Sequence, residues 1–246
     1  MEHTHLGLFE SATMQNVTGN TIRPGGLDLT NRALEFCEFS KDSTLLDIGC
    51  GLGSTQQLLI NRGFQSFGLD ASQKQLRTGI QNTIPGIRAY GEAVPFPATS
   101  LDGVFLECTL SVVKNPTEVL AEVYRLLKPG GMLVLSDIFA RNELGIPALK
   151  SAGASWCFNT IWSRIDCSTM LQSAGLKIVL WEDHSEKMRN LTGKIILKHG
   201  SLNSFWECLN LSQNCSSFDA LNFQLLLSRA KLGFFLLIAQ KPDFSS

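Results

Sequence analysis

The chain has 246 residues, 44% of them hydrophobic and 17% charged, with a formal net charge of −1. That composition supplies a sizeable core and argues against disorder, while the lack of a long basic or acidic block argues against a nucleic-acid backbone as partner. Seven cysteines, an odd number without a CxxC pair, argue against a disulfide framework or a structural zinc site, so no metal is expected.

The first residues, "MEHTHLGLFESATMQNV", carry no basic stretch followed by an apolar run, so no secretory leader is expected. The pair His3 and His5 reads as incidental in a terminal arm. The longest strongly apolar stretch, Gly233 to Ala239, is far too short to cross a bilayer. The expectation is a cytoplasmic protein without a membrane span.

Residues 1–42 read as an arm and a helix. Pro24-Gly25-Gly26 marks a turn, and Leu29, Ala33, Phe36 and Cys37 follow at helical spacing. From residue 43 to 140 strands and helices alternate. "STLLDIG" reads as a strand, and "STQQLLINRG" as a helix opening at Ser54 and closing at Gly63. "SFGLD" is a second strand, and "SQKQLRTGIQN" a helix that Ser72 and Gln75 would open as a capping box. "GIRAYG" and "LDGVFLEC" are further strands. "NPTEVLAEVYRLLKPGG" is a helix with Asn115 as cap, Pro116 in the first turn, Glu118 closing a box and Pro129-Gly130-Gly131 ending it. "MLVLSDIF" is the fifth strand.

The remainder, 141–246, is less regular. "CSTMLQSAGL" reads as a helix, "KIVLWEDH" as a sixth strand and "GFFLLIAQK" as the last. Segments 141–165 and 185–230 read as helical additions at the sheet edge that cover the site as a lid. The alternation predicts an α/β fold: a Rossmann-like, seven-stranded, mostly parallel sheet with helices on both faces. Ligands of such sheets sit beyond the carboxyl ends of the strands.

The stretch "LLDIGCGLGST" carries Gly49, Gly51 and Gly53 in a G-x-G-x-G pattern, which alone fits any tight strand-to-helix turn. Asp47, read as standing at the mouth of this loop, would repel a pyrophosphate and attract an ammonium group. Asp70, ending the second strand, is placed to accept from ribose hydroxyls. Glu92, in "GEAVPFPATSLDGV", could accept from an adenine amino group, with the backbone of Ala93 beside the ring. Together these residues suit a cationic adenosine derivative without phosphate.

In order and spacing, "LLDIGCGLGS", "FGLDAS", "GEAVPFPATSLDGV" and "LAEVYRLLKPGGMLVLSDIF" resemble the successive motifs of class I S-adenosylmethionine-dependent methyltransferases, in the small-molecule branch of quinone, sterol and arsenite methyltransferases. The resemblance implies S-adenosylmethionine as cofactor, S-adenosylhomocysteine as product and a small-molecule acceptor. It implies that Gly49, Gly51 and Gly53, with Cys50 between them, admit the methionine part and the adenosine, and that Asp47 orients the amino end. It gives Asp70 the ribose, Ala71 one adenine face, and Glu92 and Ala93 the adenine edge. Glu107 and Cys108 face the methionine and the acceptor; "ECTLS" departs from the amide or other polar residue frequent there.

Methyl transfer from a sulfonium is an in-line displacement, so the protein chiefly aligns the nucleophile and excludes water. Only a hydroxyl or carbon acceptor needs a base. His184, with Glu107, is the catalytic candidate, although "WEDHSEK" also fits a solvated histidine. Arg23 is a candidate for a carboxylate of cofactor or acceptor, and Cys108 and Cys157 for the acceptor side. Cys157 resembles an arsenite-methyltransferase cysteine, which keeps a soft metalloid or thiol acceptor open, with an ordinary buried cysteine as the other reading. A non-catalytic accessory protein that binds S-adenosylmethionine and a nicotinamide oxidoreductase complete the alternatives; Asp47 and the glycine spacing speak against the last.

Overall fold

The computed structural model describes residues 8–79, 86–152, 158–213 and 219–243. Strands β1 (Thr44–Ile48), β2 (Gln65–Asp70), β3 (Gly86–Arg88), β4 (Leu101–Glu107), β5 (Leu127–Ala140), β6 (Lys177–Asp183) and β7 (Leu232–Gln240) form a single sheet in the order β3-β2-β1-β4-β5-β7-β6. The pairs from β3 to β5 are parallel, and β7 runs antiparallel between β5 and β6. This is the expected seven-stranded, mostly parallel sheet. Strand order reverses between β1 and β4, so their carboxyl ends open the crevice where this architecture binds ligands.

Helices α2 (Asp28–Cys37) and α3 (Ser54–Asn61) cover one face, where Leu29, Ala33 and Leu59 pack on Leu45, Phe105 and Leu236. On the other face α5 (Pro116–Leu126) and α7 (Arg164–Ser173) set Val119, Val123 and Leu171 against Leu46, Leu106 and Leu237. A third apolar cluster lies at the carboxyl end of β5, with Ala140 in it and Leu232 of β7 packed against it. It joins Met14 of α1 (Ala12–Thr18), Leu149 of α6 (Ile146–Ser151), and residues of α8 (Ser185–His199), α9 (Leu202–Gln213) and α10 (Ala220–Ala230), among them Leu191, Phe205 and Phe223. The remaining helix, α4 (Gln73–Thr78), follows β2.

Several boundaries depart from the sequence expectation. The buried stripe of α2 is Leu29, Thr30, Ala33 and Leu34, with Phe36 and Cys37 only partly buried. Ser72 does cap α4 by accepting from the Gln75 N–H at 3.1 Å, but the Gln75 amide donates to the Phe9 carbonyl, so the reciprocal half of the box is missing. Asn115 occupies the cap of α5 without a side-chain bond, and Pro116 takes the first turn. Lys128-Pro129-Gly130-Gly131 belongs to the start of β5 rather than to a free turn. Helix α7 begins before Cys167, because Ser163 and Asp166 form a complete capping box there. The late periodic segments are α8 and α10, with α9 between them. No helix among the described residues is long and apolar enough to cross a membrane.

The antiparallel strand β7 is buried on both faces, and the Phe235 ring stacks on Trp181 at 4.5 Å with Phe139 edge-on at 5.8 Å. Truncating so enclosed a ring forfeits its burial and leaves a cavity. Phe235→Ala is therefore expected to lower unfolding free energy by about 3–5 kcal/mol in urea denaturation; a loss below about 1 kcal/mol contradicts the packing described.

Candidate active site

The loop from Gly49 to Gly53 leaves β1 and curls over the end of β2. The Gly49 and Cys50 N–H groups donate to the Leu69 carbonyl at 2.7 and 3.0 Å, and the Gly51 N–H donates to Asp70 Oδ2 at 2.8 Å. Gly49 has a φ of 79°, and a Cβ there would stand 2.2 Å from Thr109 Oγ1, so the position admits only glycine without rearrangement. Gly51, with a φ of 53°, has open space where its Cβ would be, which leaves its backbone accessible from the cavity it lines. Gly53, in the left-handed region, is the N-cap of α3.

Under this loop lies a cavity of about 290 Å³. It is lined by Gly49, Cys50, Gly51, Asp70, Ala71, Glu92 and Glu107. Asp70 is 6% exposed; its Oδ1 accepts from the Ser72 N–H at 2.7 Å while Oδ2 holds Gly51. Each oxygen keeps a second lone pair for a ligand hydroxyl. Burial raises the Asp70 pKa, partly offset by these two N–H donors. Glu107, at the end of β4, has partners on both oxygens: Thr30 donates to Oε1 at 2.8 Å, Thr55 donates to Oε2 at 2.6 Å, and Arg23 Nη2 stands 2.9 Å from Oε2.

A second cavity, of about 540 Å³, adjoins the first. Phe9, Ile22, Arg23 and Cys108 line both, so they form the wall between them. Cys108 takes the left-handed conformation with a φ of 56°, unusual for a residue with a side chain and characteristic of functional sites. Burial pushes its thiol well above the usual range, which makes it a neutral wall rather than a thiolate. Beyond it, in the larger cavity, Asp137 accepts from the Ser111 and Ile138 N–H groups at 2.9 and 2.8 Å. Burial nevertheless raises its pKa to about 6.

The structure thus gathers Arg23, Gly49, Cys50, Gly51, Asp70, Ala71, Glu92, Glu107 and Cys108 around one crevice, and sets four other candidates elsewhere. Asp47 is not at the loop mouth: it is 3% exposed within β1 and lines neither cavity. Burial first, then the Glu107 carboxylate, pushes its pKa well up. Gly53 and Ala93 also line neither cavity; Ala93 is exposed, its N–H donating to Tyr90 O. His184 caps α8 away from both cavities, with Nε2 2.9 Å from Glu182 and Nδ1 3.3 Å from Glu186. Its ring nitrogens are committed to a carboxylate cluster that also holds Arg32, so it is no base for this crevice. Glu107 has its carboxylate paired with Arg23 and held by Thr30 and Thr55, which disfavours a role as a base. Cys157 lies outside the described residues.

The soft-metalloid alternative requires converging thiolates. Cys50 lies beneath the loop, its Sγ close to where a Cβ on Gly68 would stand, and burial raises its pKa. Among the described residues no three His, Cys, Asp or Glu side chains gather as metal ligands. Thr30, Thr55, Tyr90 and Gln75 also belong to the site, though the sequence alone places none of them there. The available signal is Thr30 itself: a hydroxyl on the apolar stripe of a helix needs a buried partner.

Comparison with known proteins gives the following. The methyltransferase-domain family profile matches residues 46–135. An uncharacterized methyltransferase of Bacillus subtilis, YodH, is 32% identical over 63% of this chain and 68% of its own length. The 27-O-demethylrifamycin SV methyltransferase of Amycolatopsis mediterranei is 25% identical over 98% of this chain and 91% of its own. The chain spans about half, or less, of the length of several other curated relatives. Among solved structures, the cyclase SpnF superposes with a TM-score of 0.72 at 20% identity, covering 98% of this chain and 95% of that one. Phosphoethanolamine N-methyltransferase 2 of Haemonchus contortus, in complex with phosphomonomethylethanolamine and S-adenosylhomocysteine, gives 0.71 at 18% identity, covering 98% and 58%. At these identities the structural likeness concerns the fold.

Two outcomes follow from this geometry. Gly49→Ala forces Thr109 aside and strains the loop, so the variant is expected to lose binding to its adenosine ligand while retaining the sheet's circular dichroism; unimpaired binding by calorimetry contradicts the close approach. Asp137 has a folded pKa of about 6, above its ordinary unfolded value of about 3.9. The folded state therefore holds the extra proton in that interval, and stability falls as pH rises from about 4 to about 6. Urea melts across this range should show that decline in the parent chain and a flatter profile in Asp137→Asn; parallel profiles would remove Asp137 as its source.

Proposed function

We propose, on the premise that the chain belongs to the class I S-adenosylmethionine-dependent methyltransferases, that it transfers a methyl group from S-adenosylmethionine to a small-molecule acceptor by in-line displacement. The observation that supports this reading is the pair of abutting cavities, one under the glycine loop and one beyond Cys108, which provide room for donor and acceptor on either side of a common wall. The donor set fits the cofactor: Asp70, Glu92 and Glu107 line the first cavity, suited to a cation and to ribose hydroxyls, while of the two cations that line it among the described residues, Arg23 and Lys114, Arg23 is paired with Glu107.

S-adenosylmethionine, when bound, supplies a methyl group on a sulfonium, already activated. The chain's own part is to place it. Asp70 accepts the ribose hydroxyls through the lone pairs left by Gly51 and Ser72. Glu92 and Ala71, both on the cavity wall, flank the adenine. Glu107, held rigid by Arg23, Thr30 and Thr55, presents negative charge at the methionine end. The apolar second cavity keeps water from the line of displacement.

The test is calorimetric and catalytic. S-adenosylmethionine should bind and NAD should not, and S-adenosylhomocysteine should accumulate with an acceptor. Asp70→Asn removes a charged acceptor from a buried hydrogen-bond set and is expected to weaken S-adenosylhomocysteine binding roughly tenfold or more. Absence of heat with S-adenosylmethionine overturns the reading.

A further inference from the structure

The larger cavity has a charge pattern that the cofactor does not explain. Its walls are mainly apolar, with Leu191 and Ile195 from α8, Phe205 and Trp206 from α9 and Leu227 from α10. Besides Arg23, which pairs with Glu107, three cations line it: Arg141 after β5, Arg189 in α8 and Lys231 just before β7. Among the described residues none of the three forms an ion pair. Arg141 and Lys231 are moreover pinned together, since both the backbone N–H and Nε of Arg141 reach the Lys231 carbonyl, at 3.4 and 3.1 Å.

The bonds hold Arg141 to the backbone of Lys231, so two cationic residues, both exposed, share one rim of the cavity and can be bridged by an anion. Asp137, the acidic side chain on the cavity wall, has both oxygens bound to backbone N–H groups near Cys108. Asp183 feels Arg141 electrostatically, but its Oδ1 is taken by Ser185. At about 540 Å³ the cavity falls within the range of drug-sized ligand sites, about 300–1,000 Å³. An apolar wall with cationic residues at its rim suits a molecule with both characters.

We propose that the acceptor is an amphipathic anion, with an apolar body against Leu191, Ile195, Phe205 and Trp206 and a carboxylate or phosphate facing Arg141, Arg189 and Lys231. The proposal rests on the methyltransferase reading for the word acceptor, but its binding claim stands on the cavity alone. It makes the charged group an address rather than the methylated atom, because the reacting atom must lie at the Cys108 wall, next to the cofactor cavity.

The experiment titrates the full chain, with and without S-adenosylhomocysteine, with four probes below their micellar concentrations: dodecanoate, dodecyl phosphate, dodecanol and dodecyltrimethylammonium. Tryptophan fluorescence reports binding, since Trp206 lines the cavity. At least one anion should bind roughly tenfold or more tightly than dodecanol and the ammonium probe, and the two anionic arms separate carboxylate from phosphate recognition. The double variant Arg189→Gln and Lys231→Gln should lose that preference while dodecanol and S-adenosylhomocysteine bind as before, which also shows that it folds. Equal binding of dodecanol and both anions, an unchanged preference in the double variant, or no binding of any probe overturns the proposal. Loss of S-adenosylhomocysteine binding alone would instead strike the methyltransferase reading.

Discussion

Everything in the crevice depends on where three carboxylates are buried. Asp47 in β1, Asp70 at the end of β2 and Glu107 at the end of β4 lie on three adjacent strands, at 3%, 6% and 7% exposure. Among the described residues Arg23 is the cation that touches this set, through Glu107. Burial and mutual repulsion push Asp47 up, and burial pushes Asp70 up. An excess of negative charge in a low-dielectric place is costly without compensation. A cationic ligand supplies that compensation; a pyrophosphate would aggravate the cost. The acidic character of this end of the crevice therefore comes from the sheet itself, because parallel strands deliver their final residues to one edge.

The same ion pair organises the N-terminal segment. Arg23 precedes α2, yet it bonds to Thr30 in α2 and Thr55 in α3 and pairs with Glu107 in β4. A buried pair of this kind adds little net stability relative to an apolar substitute, but removing one partner leaves a charge stranded. Its effect is positional: it fixes the segment that carries Ile22 and Arg23 into the wall shared by both cavities.

The sheet was legible because glycine and proline punctuate the links and apolar runs match strand length; the strands around Asp70 and Glu107 could be placed by eye. The glycine loop and Asp70 were legible for the same reason, as the chain fixes their local geometry. Asp47 was not, since proximity in sequence does not give the side of a strand. Successive residues alternate faces, and Asp47 shares the face of Leu45, which packs with α2 and α3. His184 was ambiguous because a charged neighbourhood suits a base as well as a surface pair; only the fold brings Glu182 and Glu186 to both nitrogens. Thr30 and Thr55 were invisible to motif reasoning, because their partner Glu107 is 77 and 52 residues away. The larger cavity was harder still: its walls come from helices α1, α8, α9 and α10 and strands β5 and β7, whose assembly is long-range.

The end of β4 links the two halves of the site. Cys108 turns the chain through the left-handed region, so Glu107 points into the first cavity while Cys108 lines both and Thr109 is driven against Gly49. The glycine at position 49 is therefore demanded twice, by its own positive φ and by the threonine that the turn at Cys108 delivers. A change in the acceptor wall at 108 would move the threonine that packs on the cofactor loop, and a change in the loop would press back on the wall. Three consecutive residues thus tie the geometry of the first cavity to that of the second, which on the function proposed above is what an in-line displacement requires, since alignment error on either side raises the same barrier.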